Sequence, residues 1–184
     1  MSLRHALLGL LSEGPASGYD LLKLFDESLA NVWPATQSQL YGELGRLADA
    51  GLIVVLSEGA RGRKEYAVTD TGRAELRHWL LEVKPVPVRR YDMLLRVFFF
   101  GQISEDDAIA YLGEQRQEAA EEADRLAELN ETIAPYADNF AVYGRLALEW
   151  GLRSSRMYQE WAEWAINEVK AHDRTANPDS CKPD

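Results

Sequence analysis

Residues 33–53 read WPATQSQLYGELGRLADAGLI, and this stretch decides the fold. Thr36 starts a helix, Gln39 stands three residues on in the reciprocal capping position, and Gly51 ends it. At 100° per residue, Leu40, Leu44 and Leu47 share a narrow sector and form the core face. The opposite face carries Ser38, Gly42, Gly45 and Asp49, bordered by Gln39 and Arg46, with Tyr41 at the other margin. An ordinary solvated helix would carry lysine and glutamate there. Instead it has two glycines, each costing about 1 kcal/mol relative to alanine. Small residues on a helix surface let something come close. Two occupants fit: another protein segment packed on the glycines, or a duplex whose major groove admits a helix with its N-terminal residues at the base edges.

The flanks supply the rest of a domain. Leu3, Leu7, Leu10 and Leu11 form a helical stripe that stops at Gly14-Pro15. Ser17 caps a second helix with Asp20 three residues on, and Leu22, Phe25 and Leu29 line its inner face. Trp33-Pro34 breaks it. Ile53–Ser57 and Lys64–Thr69 are β-prone runs separated by EGARGR, which predicts a hairpin with a basic tip. Thr69 or Asp70 caps a fourth helix with the stripe Leu76, Trp79, Leu80 and Val83. Helix, helix, helix, hairpin, helix is the order of a winged helix-turn-helix.

The expected fold class is therefore mainly α. An N-terminal winged helix-turn-helix with a two-stranded wing occupies 1–83, and a semi-rigid linker containing KPVPV covers 84–90. A C-terminal all-helical domain covers 91–172, and a tail over 173–184, with two prolines and no core candidates, is expected to be disordered. Tyr91–Phe100 is apolar almost all round and is predicted to lie buried between other elements. Ser104 caps a long Ala/Glu-rich helix that ends at Pro135. In the last helix, about Asn139–His172, the residues Tyr143, Leu146, Trp150, Arg153, Met157, Trp161 and Trp164 recur at steps of three and four. That stripe suits either a core within the chain or a seam between two copies. Large aromatics favour the seam, with Tyr143, Leu146, Trp150, Met157, Trp161 and Trp164 as its residues.

Charge bears on the choice between duplex and protein. The formal net charge is −10, but residues 1–84 hold nine Lys/Arg against eleven Asp/Glu, and residues 85–184 hold eleven against nineteen. Most of the acidity thus lies in the second half. Arg61, Arg63 and Lys64 put three cations in four residues at the hairpin tip, and Arg4, Lys23 and Arg46 extend that positive margin. With a Debye length of about 8 Å at physiological salt, distant acidic helices are largely screened. Gln37, Ser38 and Gln39 bring hydrogen-bonding groups to the helix start, and glutamine can pair bidentately with adenine.

These residues carry a resemblance. GLLSEGPASGYDLLKLF (9–25), VWPATQSQLYGELGRLADAGLI (32–53) and GRKEYAVTDTGRAELRHWL (62–80) closely resemble the PadR family of bacterial transcriptional regulators, over about residues 3–80. KPVPVRRYDMLLRVFFFG (84–101) and the aromatic last helix resemble its phenolic-acid-responsive repressor subgroup, with a C-terminal helical dimerisation domain. The resemblance implies a homodimeric repressor on a palindromic operator in double-stranded DNA. Its third helix would enter the major groove with Gln37, Ser38, Gln39 and Tyr41, while Arg61, Arg63 and Lys64 on the wing and Tyr19 touch the backbone. Thr36 and Arg46 complete the DNA-contact candidates. Gly42 is a departure, since a proline commonly follows the tyrosine at this point.

Arg96 within MLLRVFFF and Arg153 within the aromatic stripe stand among apolar residues, and a buried guanidinium needs an anionic partner. That partner is either a glutamate on a neighbouring helix or the carboxylate of a small aromatic effector. Arg96, Phe98, Trp150 and Arg153 are the effector-site candidates, and the resemblance makes phenolic acids a candidate class.

Other functions find little footing. His5, His78 and His172 lie on separate helices without metal-ligand spacing, and no glycine-rich phosphate loop is present. Neither an enzyme nor a cofactor is expected. The single cysteine, Cys181, has no partner for an internal disulfide, and no apolar run approaches the ~20 residues a bilayer needs. The expectation is a cytoplasmic protein with no membrane contact. The competing function is a winged helix used as a protein–protein interaction module or antirepressor, without DNA.

Overall fold

The computed structural model describes residues 2–29, 32–59, 63–85, 90–136 and 138–176. The chain divides into two compact units, Met1–Val86 and Pro87–Asp184.

In the first unit, α1 (Ser2–Glu13) ends where Gly14-Pro15 begins, and β1 (Ala16–Ser17) leads into α2 (Gly18–Ser28). Ser17 and Asp20 form the predicted capping box: the Asp20 N–H donates to Ser17 Oγ at 3.2 Å, and the Ser17 N–H donates to Asp20 Oδ2 at 3.3 Å. A second box starts α3 (Gln37–Asp49), where the Gln39 N–H donates to Thr36 Oγ1 at 3.3 Å and the Thr36 N–H to Gln39 Oε1 at 2.9 Å. The helix stops at Gly51, whose φ of 68° is left-handed and suits glycine.

Strands β2 (Ile53–Glu58) and β3 (Lys64–Val68) pair antiparallel, Val55 opposite Tyr66, with a register shift between Val55 and Ser57. The third strand, β1, pairs with β3 through Ala16 opposite Tyr66 and Ser17 opposite Glu65, so the sheet order is β1-β3-β2. Nothing in the sequence announces β1, because two residues cannot display a period-2 pattern. One core holds the unit together: Leu7, Leu8, Leu11, Leu21, Phe25, Leu40, Leu44 and Leu47 are all buried, with Ile53 closing it from the sheet. The inner face of α2 thus centres on Leu21 and Phe25, with Leu22 and Leu29 only partly buried.

Helix α4 (Asp70–Glu82) is anchored by Thr69. The Thr69 hydroxyl accepts from the Gly72 N–H at 3.1 Å and lies within donating distance of the Leu52 carbonyl at 3.0 Å. The expected stripe on this helix is only partly covered. Leu76 packs on the core and Trp79 stacks on His5 with ring centroids 4.5 Å apart, but Leu80 and Val83 are exposed. The side that meets α1 is covered; Leu80 instead lines a shallow apolar cavity of about 270 Å³ with Ser12, Leu76 and Leu81.

The second unit is all helical. It contains α5 (Asp92–Phe98), a 3-10 turn at Phe100–Gln102, α6 (Glu105–Ile133) and α7 (Asn139–Ala176). Ser104 caps α6 by accepting from the Asp107 N–H at 3.1 Å. Helix α7 returns antiparallel along α6: Leu126 meets Gly151, and the Gln159 side chain reaches the Ala119 carbonyl. Their joint is built from Leu126, Leu148 and Leu152, with small buried residues Ala141, Ser155, Ala162 and Ala165 along α7.

One burial expectation is corrected here, and one open alternative is decided. Tyr91–Phe100 is not buried in this chain: Leu95 and Phe99 are exposed and Phe98 is 82% exposed, since α5 packs chiefly on the turn that follows it. The aromatic stripe of α7 is not the intrachain core either. Tyr143, Leu146, Trp150, Met157 and Trp164 are all exposed, and Trp161 is half-buried. The reason is geometric, because α7 turns its small residues toward α6 and its large ones away.

Gly72 gives a direct test of the packing between α4 and the sheet. A Cβ there would run into the Leu52 carbonyl oxygen and stand 2.9 Å from Val68 Cγ2, whereas a Cβ on Gly9 of α1 would meet no atom within 4 Å. Gly72→Ala should therefore lower the urea-unfolding stability of the first unit by about 2–3 kcal/mol, an overpacking cost. Gly9→Ala should instead raise it by up to about 1 kcal/mol, through helix propensity alone.

Candidate nucleic-acid interface

Helix α3 is fastened on one side only. Leu40, Leu44 and Leu47 are completely buried, while Gln37, Ser38, Gly42, Gly45 and Asp49 are exposed. At Gly42 and Gly45 an added Cβ would meet no other atom within 4 Å. Packing within the first unit therefore does not explain either glycine, and the face they form is open. The face is polar and low, and its first turn offers the side chains of Gln37 and Ser38 to whatever approaches.

The other predicted contacts are engaged in ways the sequence shows unevenly. Gln39 spends its carbonyl oxygen on the Thr36 N–H, which leaves its amide NH₂ as the group for outside contact. Thr36 is likewise a cap first, since its hydroxyl oxygen accepts from Gln39. Tyr41 lies over the start of α2: a Cβ on Gly18 would stand 2.6 Å from Tyr41 Cε1. Gly18 is thus the residue that makes room for the Tyr41 ring, and it is followed in the chain by the exposed Tyr19. Periodicity does not reveal that role, although Gly18 sits in the SGYD turn.

Among the described residues, the cations of this margin all meet carboxylates. Arg63 on the wing donates from Nη2 to Asp20 Oδ2 at 2.8 Å, and Lys64 lies 3.2 Å from Glu58. Arg46 donates to Glu43 Oε2 at 2.8 Å, while Arg4 Nε stands 3.5 Å from the same residue's Oε1. Lys23 stands 3.7 Å from Glu27. Arg61 lies outside the described residues. Asp20 is held below the ordinary carboxylate value of 3.8, first by its hydrogen bond to the Ser17 side chain; burial opposes this, and the hydrogen bond and charge of Arg63 and the Ser17 N–H lower it further. Its contribution to folding is thus complete above 3.8 and is lost as the pH falls through its own lower value. Exposed pairs of this kind contribute only about 0–1 kcal/mol each.

In the second unit the arginine expectation is corrected. Neither Arg96 nor Arg153 is buried. Arg96 Nε donates to Asp92 Oδ2 at 2.7 Å, and this bond with its attendant charge pushes the Arg96 pKa up. Arg153 Nε donates to Glu149 Oε1 at 2.7 Å. Both partners stand four residues earlier on the same helix, a spacing already present in the sequence. Phe98 and Trp150 are both exposed. An open groove of about 420 Å³ between α6 and α7 is lined by Arg116, Gln117, Arg156, Gln159, Glu160 and Glu163 among others, and by none of the four effector candidates. Among the described residues no cluster of His, Cys, Asp and Glu could hold a metal ion, and no helix is long and apolar enough to cross a membrane.

Comparison with known proteins supports the same reading of the first unit and extends it. Residues 7–78 match the transcriptional regulator PadR-like family, and residues 89–170 match the family described as virulence activator alpha C-term. The negative transcriptional regulator PadR of Bacillus subtilis (strain 168) is 32% identical over 172 residues, covering 88% of this chain and 93% of that protein. The crystal structure of Bacillus subtilis PadR in complex with operator DNA superposes with a TM-score of 0.78 at 30% identity, over 92% of this chain and 99% of that one. The same protein in complex with p-coumaric acid gives 0.79, also at 30% identity over 92% and 99%. The Vibrio cholerae virulence activator AphA gives 0.80 at 25% identity, over 93% and 99%. With a relative of this identity aligned along most of both chains, and a winged unit whose third helix is bare on its outer side, this chain belongs to the PadR family of transcriptional regulators.

Proposed function

We propose that this protein is a homodimeric repressor that binds a palindromic operator and leaves it when a small aromatic acid binds. The observation that carries the DNA half of the reading is the outer face of α3. Ser38, Gly42 and Gly45 are open there, and the flanking cations of the wing and of α1 lie at its margin. A helix of this shape suits the depth of a major groove. Gln37, Ser38 and the free amide of Gln39 would meet base edges; Arg63 and Lys64 would meet phosphates on the adjacent strand. A protein–protein module or antirepressor would be better served by an apolar outer face, and this one is polar. Such a regulator works in the cytoplasm, where the DNA lies.

The dimer half rests on the open aromatic stripe of α7. Tyr143, Leu146, Trp150, Met157 and Trp164 are exposed along one side of α7, and Leu95, Phe98 and Phe99 are exposed on α5. Exposed aromatics in such number mark an interface. Two copies joined there would present two reading helices, as a palindrome requires. The effector half is supported by the p-coumaric acid complex of the Bacillus subtilis relative. Arg96 or Arg153 would exchange its helical carboxylate for that of the ligand, with Phe98 and Trp150 against the ring.

Three measurements test these parts. In anisotropy titrations, Gln37→Ala should relax sequence preference, whereas Arg63→Ala should weaken binding to every duplex and reduce the salt slope, by less than the roughly 0.9 of an untethered cation. Identical effects would dissolve the division between reader and clamp. Trp150→Asp should sediment as a folded monomer with an unchanged helical spectrum, because Trp150 is 75% exposed and supports nothing within the chain; a dimer that survived would place the seam elsewhere. Finally, p-coumaric acid should weaken the protein's hold on its selected operator by at least about fivefold. An unaltered affinity would remove phenolic acids as the effector class.

A further inference from the structure

A DNA-binding surface is ordinarily read by counting its cations, and here five of them are opposed by four carboxylates of the same chain. Arg63 is held by Asp20, Lys64 by Glu58, Lys23 by Glu27, and both Arg4 and Arg46 by Glu43. Among the described residues, every cation assigned to the duplex-facing margin has a carboxylate of the same chain within 4 Å. Two of these carboxylates differ from the rest in being fixed. Asp20 Oδ2 also accepts from the Ser17 N–H at 3.3 Å and the Ser17 hydroxyl at 2.6 Å, so it cannot swing away when Arg63 moves. The Glu43 side chain is only 14% exposed, set between α1 and α3 with an arginine on each oxygen. Arg4 Nε is buried and makes no hydrogen bond, leaving an ion pair at 3.5 Å as its contact with that carboxylate. Glu58 and Glu27, by contrast, are well exposed and free to turn aside.

We propose that Asp20 and Glu43 set sequence specificity, by occupying guanidinium groups that would otherwise bind the phosphates of any duplex. The inference rests on the DNA-binding reading above and adds a mechanism to it. A phosphate can take Arg63 or Arg46 only by displacing a carboxylate that stays in place and repels it. On a matched sequence the base-edge contacts of α3 hold the arginine and phosphate together long enough to offset that repulsion. On an unmatched sequence nothing offsets it. The exchange also alters the salt response. A free arginine that neutralises a phosphate releases a counterion, but a displaced carboxylate recaptures one, so a tethered arginine adds less than the usual slope of about 0.9. The net charge of −10 does not itself achieve this, because screening over about 8 Å confines the effect to carboxylates at the contact.

The test uses the full chain carrying Asp20→Asn or Glu43→Gln. Each is titrated by fluorescence anisotropy against two duplexes: one selected by the wild-type protein from a random-sequence library, and one of scrambled sequence and equal composition. Both variants should bind the scrambled duplex at least about threefold more tightly at low salt, with a salt slope steeper by up to about 0.9, or roughly 3.5-fold more affinity lost across a fourfold rise in salt. The selected duplex should gain less, so that the ratio of the two affinities falls. Unchanged or weaker binding to the scrambled duplex, with a native circular dichroism spectrum, overturns the proposal, and so does an equal gain on both duplexes. Asp20 also caps α2, so if Asp20→Asn does not fold, Glu43→Gln decides alone, since Glu43 caps no helix. Failure of the wild type to select any duplex would overturn the DNA-binding reading itself and this inference with it. That result is read before either variant is made.

Discussion

Everything in the first unit depends on α3 being bolted down along one edge. Leu40, Leu44 and Leu47 are completely removed from solvent, and burying a leucine contributes about 1.5–3 kcal/mol relative to leaving it exposed. Against this, Gly42 and Gly45 cost about 1 kcal/mol each. The burial wins by a clear margin, which is why a helix can carry two glycines on its outer face and remain a helix. The capping box at Thr36 and Gln39 adds to that margin at the very turn that meets the outside. A surface bare enough for close approach is thus made stable from behind.

The second unit solves a related problem in the opposite sense. Its long helix α7 has two apolar faces. One is small and serves α6, through Ala141, Leu148, Leu152, Ala162 and Ala165; the other is large and serves no part of its own chain. Small residues permit close packing of two helices, and the bulk displaced from that joint appears on the far side. A row of exposed aromatics would be costly for a lone protomer, because apolar area in water costs about 25 cal/mol per Å². In the homodimer proposed above, a second copy would cover that row and set two reading helices at a fixed spacing.

Electrostatics connects the two halves of the DNA question. An acidic chain touching a polyanion looks contradictory until the charges are located. The first half is nearly neutral, and the described cations flanking α3 and on the wing are each tempered by a neighbouring carboxylate, Arg4 and Arg46 by the same Glu43. What distinguishes this surface is therefore moderation of its charge, which under the proposed DNA-binding role would give base-edge contacts more influence over where it settles.

Much of this was legible in the sequence. The two capping boxes, the helix ends at Gly14-Pro15 and Gly51, the hairpin and the order of elements all follow from residues within a few positions of each other. Physical rules of that range need no knowledge of the fold. The local partners of Arg96 and Arg153 were legible too, at a spacing of four, although their apolar surroundings pointed to burial instead. Tertiary structure alone decided the rest. It joined Ala16–Ser17 to the sheet, laid Tyr41 over Gly18, brought Arg63 to Asp20 across 43 positions, and chose which face of α7 meets α6. Periodicity marks the apolar faces of a helix, but which of them its own chain covers is set by the shape of the neighbour, and that shape exists only once distant segments have packed.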